Sequence, residues 1–248
     1  MKIRGYKMKK CIICALLGTV FVSGLTTYSM DKKAMTFFQQ ATRYEDKNDY
    51  PNAINSMLNA LEFEKKEPIL YTKLAGYYKE AGNYDSAVEY YKKALELKSD
   101  DAFLYISLGN LYEAQQEYKE AFNAYLQASK IFPDYKYNDI NLANTKFHLG
   151  EIKEAENYYK KFLTNYPDNI EAQENLASCY TKSGNIDSAA EIYESLYEKN
   201  PDNFKEYSNY GLILLKKDNY EKATEILKKA VELDDEDYSA HGNLAISY

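Results

Sequence analysis

The residues able to do chemistry are few. There are two histidines, His148 and His241, and neither belongs to a His-x-x-x-His pair or a Cys/His group. Zinc chemistry needs such convergent ligands, so a zinc site is not expected. Cys11-x-x-Cys14 has redox or metal spacing, but it lies among Ile12, Ile13, Ala15, Leu16 and Leu17 with no second ligand pair. Cys179 is alone and reads as a small packing residue rather than a reactive thiol. The run Asp234-Asp235-Glu236-Asp237 lacks the alternating ligands and central glycine of a calcium loop. No glycine-rich phosphate loop and no Gly-x-Ser-x-Gly elbow occurs. The chain is therefore expected to be non-enzymatic, with no cofactor and no metal.

The elements around these residues explain why. The 248-residue chain has a formal charge of −7, but the charge is uneven. Five of the 31 basic residues and no acidic residue lie in 1–29, which leaves 26 basic against 38 acidic beyond them. An acidic body disfavours nucleic-acid binding, which needs clustered Lys and Arg. Residues 1–10 are basic, 11–25 are uncharged, and small residues follow (Gly24, Thr26, Thr27, Ser29). That order is a secretory signal, expected over 1–30. The protein is expected to be exported, periplasmic or secreted, or else anchored to the inner membrane through residues 11–30.

Everything after the signal is a repeat. Ala53, Ala87, Ala121, Ala155, Ala189 and Ala223 recur at a constant step of 34 residues. Met57, Tyr91, Tyr125, Tyr159, Tyr193 and Leu227 recur in the same phase, four residues further on. With the first alanine as position 20, the repeats are 34–67, 68–101, 102–135, 136–169, 170–203 and 204–237, with a partial one at 238–248. Apolar residues at positions 4, 7, 8 and 11 share one helical face, and those at 17, 20, 24 and 27 share another. Gly82, Gly150, Gly184 or Asn48 at position 15 suits the left-handed residue that ends a helix, a site filled by Gln116 in the third repeat. Pro133, Pro167 and Pro201 stop the second helix. Small residues at 8 and 20 allow close approach, and each helix pair leaves an apolar edge for the next pair to cover. The fourth repeat carries Asp139 and Lys146 where others have aromatics, so its first helix is expected to be looser or rotated.

This pattern resembles the tetratricopeptide repeat, most fully through Tyr71, Leu74, Ala75, Tyr78, Tyr84, Ala87, Tyr91 and Ala94. The resemblance covers about 34–248. It implies an all-α fold, an α-α superhelix of antiparallel helix pairs filling 31–248. It also implies a concave groove lined by positions 2, 5, 9, 12 and 13 of the first helices, which takes up peptides or helices of partner proteins. Those positions place Phe103, Ile106 and Asn110, then Tyr137, Ile140, Asn144 and Phe147, with His148, in an apolar strip carrying one Asn per repeat. Such a strip suits an extended apolar peptide, although the same side chains could pack between repeats or mediate self-association. The basic residues with which some members clamp a terminal carboxylate are missing: Lys205 is followed by Asn209 where the clamp needs Arg. The 35-residue period and basic groove of related RNA binders are missing too.

The expected role is a protein-protein interaction scaffold or adaptor of a bacterial cell envelope. The alternative is a repeat segment of a larger exported protein whose activity lies beyond Tyr248. Residues 238–248 form a first helix without a second, so Leu244, Ala245 and Tyr248 could meet a partner or another copy.

Overall fold

The computed structural model describes residues 30–248. The expected signal over 1–30 thus falls, but for its last residue, outside the described residues. Thirteen helices and no strands occur among them. They are α1 (Lys32–Glu45), α2 (Tyr50–Phe63), α3 (Pro68–Glu80), α4 (Tyr84–Leu97), α5 (Ala102–Ala114), α6 (Tyr118–Ile131), α7 (Asn138–His148), α8 (Ile152–Asn165), α9 (Ile170–Ser183), α10 (Ile186–Lys199), α11 (Phe204–Lys216), α12 (Tyr220–Leu233) and α13 (Tyr238–Ser247). The fold is all-α, of the α-α superhelix class. The chain divides into two compact units at Gly82, inside the second repeat. The first unit holds α1 to α3, and the second holds α4 to α13.

The repeat phase fixes where helices start and stop. Each of the even-numbered helices begins at position 17 and ends at position 30 of its repeat. The residue at position 15 is left-handed in every repeat: Asn48, Gly82, Gln116, Gly150, Gly184 and Asp218 have φ between 56° and 80°. That conformation lets the N–H at position 16 donate back to the carbonyl at position 11, as in Glu117 to Tyr112 (2.8 Å), Asn185 to Tyr180 (2.8 Å) and Asn219 to Leu214 (3.0 Å). Orphan carbonyls of the first helix are thereby satisfied. The residue at position 16 then caps the second helix. The side chains of Asp49, Asn83, Asn185 and Asn219 accept from the first turn, whereas Glu117 and Glu151 make no side-chain cap bond. The acidic run does similar work: Asp234 ends α12, and Asp237 caps α13 by accepting from the Ser239 N–H.

Packing follows the size alternation. Position 20 alanines have no exposed surface, and Tyr125, Tyr159 and Phe162 are 1% exposed. Burying each such aromatic contributes roughly 2–3 kcal/mol. At Gly109 an added Cβ would overlap the Tyr125 ring, and at Gly211 it would overlap Leu227. Only glycine lets the two helices of those repeats come this close. The alternation is less complete at position 17, where Tyr84 and Tyr220 remain exposed. His241, at position 4 of the partial repeat, is exposed, and its Nε2 lies 3.0 Å from the Asp235 carbonyl oxygen.

The fourth repeat departs from the others in a definite way. Its first helix starts at Asn138, position 3, because the Asn138 side chain is buried and donates to the carbonyls of Phe132 (2.7 Å) and Pro133 (3.1 Å). The polar replacements find partners: Asp139 pairs with Lys161 (2.7 Å), and Lys146 pairs with Glu151 while lying over Phe122.

Candidate functional site

Positions 9 and 24 build the face of the first helices in the second unit. In repeats three to five, position 24 is a buried tyrosine whose hydroxyl reaches position 9, fifteen residues back. Tyr125 Oη lies 2.7 Å from Asn110 Oδ1, and Tyr159 Oη donates to Asn144 Oδ1 at 2.6 Å. Tyr193 bonds the Ser178 side chain. Where position 24 is Leu227, position 9 is Leu212. Burial pushes the Tyr125 and Tyr159 phenols far above their ordinary value, so they stay protonated donors. Asn175 on α9 also donates to Asn144 Oδ1 at 3.4 Å, which ties α9 to α7. Asn144 is thus held by its oxygen, and Asn110 is held by the Tyr125 hydroxyl.

Tyr125 has a second partner, Glu113 Oε2, at 2.7 Å. A phenol has one proton. The carboxylate takes it when the Asn110 amide turns an N–H toward the phenol oxygen. Burial raises the Glu113 carboxyl above its ordinary value, opposed by the Tyr125 hydrogen bond and by the charge of His148. His148 is exposed and stacks on Tyr118, ring centres 4.4 Å apart and planes within 5°. Phe147 meets His148 edge to face at 6.0 Å, and the Lys182 ammonium lies 5.1 Å from the Phe147 ring.

The remaining expected groove residues are placed differently. Phe103 and Tyr137 are 60% and 44% exposed. They join Phe132 and Tyr135 in an aromatic group at the turn between repeats three and four, with ring centres about 6 Å apart. Ile106 and Ile140 are 8% and 6% exposed and form the floor beneath this face rather than its surface. The expected strip is thus resolved into a buried floor, a fixed amide row and two aromatic groups. Tyr118, Tyr125 and Glu113 complete it. The fifteen-residue pairing of Asn with Tyr was the sequence signal for Tyr125. Nothing in the sequence marked the stack of Tyr118 on His148.

At the other end of the unit, Leu244 packs partly buried on the core, while Ala245 and Tyr248 are exposed. Cys179 is fully buried, and burial pushes its thiol up to about 12, as a packing residue requires. Among the described residues, no group of three or more His, Cys, Asp or Glu could hold a metal ion, and no helix is long and apolar enough to cross a membrane.

Solved structures share this architecture. The crystal structure of YrrB, described as a tetratricopeptide repeat protein with an unusual peptide-binding site, is 26% identical with a TM-score of 0.64, covering 75% of this chain and 96% of that one. MamA is 23% identical with a TM-score of 0.63, covering 68% and 92%. PilF of Pseudomonas aeruginosa is 18% identical with a TM-score of 0.64, covering 88% and 99%, and these last two show the fold alone. No match is found among curated proteins. Three family models, each described as tetratricopeptide repeat, match residues 66–134, 146–210 and 207–237. Together they cover more than half of the chain, and the chain belongs to the tetratricopeptide repeat family.

Proposed function

We propose that the protein is a non-enzymatic interaction scaffold that receives a partner segment on the face of α5, α7 and α9. The observation that carries this is the row of asparagine amides held by buried tyrosines and flanked by open aromatic rings. Fixed amides can bond an extended backbone, while aromatic rings take up alternate side chains. The likeness to YrrB, a protein with a peptide-binding site, supports the same reading. The basic and apolar segment 1–29 supports export to the periplasm or beyond, or retention at the membrane, and with it an envelope role.

The test must separate binding from folding. Ile106 and Ile140 are unsuitable because a carboxylate there would be buried. Phe103→Ala with Phe147→Ala removes open or half-buried rings instead. The immobilised chain is expected to retain a partner from envelope extract, and the double variant is expected to lose it with unchanged helicity. Equal retention by both would move binding off this face.

A further inference from the structure

We propose that the face of α5 and α7 seats an arginine side chain of the bound segment, between the Glu113 carboxylate and the stacked pair of Tyr118 and His148. This rests on the reading of that face as a peptide-receiving surface and names the chemistry of its occupant.

Three observations lead to arginine. Glu113 is half-buried, and none of the ion pairs among the described residues includes it. Its Oε2 accepts from Tyr125, which fixes the carboxylate and leaves Oε1 to accept from a ligand. A desolvated carboxylate held in one orientation is the usual receptor for a cation, and a guanidinium can engage it in parallel hydrogen bonds. Beside it, Tyr118 and His148 form a flat double ring, with His148 exposed. A planar guanidinium stacks on such a surface, whereas a compact, strongly hydrated ammonium does so less well.

The surroundings agree. Lys182 already occupies the Phe147 ring, and Lys146 is paired with Glu151, so neither lies on the Tyr118 and His148 stack. The chain beyond residue 29 carries 26 basic against 38 acidic residues, which draws a basic segment toward it. Asn110, bonded to the same phenol, stands one helical turn before Glu113 and can hold the backbone of the residue whose side chain enters.

Selection of random displayed peptides on the full chain tests this. Wild type is expected to enrich arginine at one fixed position of the captured peptides. In a synthetic copy of the best peptide, replacing that arginine with citrulline or lysine is expected to weaken binding by about tenfold. The Glu113→Gln variant is expected to capture peptides still, without the arginine preference, and to keep its helical circular dichroism. Peptides captured by wild type without a basic preference would overturn the arginine seat and leave the groove reading standing. A Glu113→Gln variant that keeps the preference would do the same. Failure of wild type to capture any peptide would overturn both.

Discussion

Glu206, at position 3 of the sixth repeat, has no exposed surface, and its Oε2 has no hydrogen-bond partner. Asn203 donates to Oε1 at 3.3 Å, and among the described residues no cation pairs with the carboxyl. Burial first, and the charge of Glu174 second, push it up from 4.5 to about 7. The native chain therefore holds a proton that the unfolded chain releases across this interval. Stability falls as pH rises from about 4.5 to about 7, by roughly 3 kcal/mol in all, and then levels off. Glu206→Gln cannot ionise, so its melting temperature is expected to exceed that of wild type at pH 8 and to approach or fall below it at pH 4.5. Parallel melting curves across that range would show that Glu206 ionises freely in the folded state. The repeat register held a signal for this carboxyl. Position 3 is Leu70, Leu104, Asn138, Ala172 and Ala240 in five other repeats, all of them buried, because neighbouring helices pack around that position and remove water.

At the scale of elements, the sequence was most legible where backbone geometry repeats. The period placed every second helix and every left-handed turn, because those depend on local chemistry alone. It was least legible where a side chain reaches across repeats. Asn138 delays α7 by binding carbonyls of the preceding turn, and Ile106 and Ile140 turn into the floor because neighbouring helices cover them. Gln116 lies between these cases. Its left-handed φ of 62° was foreseeable from its register. A non-glycine residue pays about 1–2 kcal/mol for that conformation, and glycine returns part of the gain as unfolded-state entropy. Gln116→Gly is expected to stabilise the chain by about 0.5–1 kcal/mol in urea unfolding. A loss of stability would mean that the Gln116 side chain holds the turn in a way its backbone does not show.

At the scale of the second unit, each helix touches its chain neighbours and little else. Stability should then be a sum of local terms with nearest-neighbour coupling, not one indivisible block. Two core groups make the point. Ile140, Ala143, Tyr159, Phe162, Ala172, Leu176 and Cys179 gather around α7 to α9. A second group gathers around α10 to α13, and the side chains of Tyr180 and Ile192 pack against both. Phe162→Ala removes a ring that is 1% exposed, a change worth about 3–5 kcal/mol. Hydrogen exchange should accelerate strongly in α7 to α9, modestly in α10, and hardly at all in α12. Equal acceleration from α4 to α13 would show that the two groups melt as one, and a linear array would be the wrong description. The distinction bears on function. In a linear array the face of α5, α7 and α9 that is proposed to receive a partner can be loosened or stiffened by its own repeats without cost to the sixth. The buried carboxyl of Glu206 would then report pH to α11 and its neighbours while leaving the proposed seat at Glu113 intact.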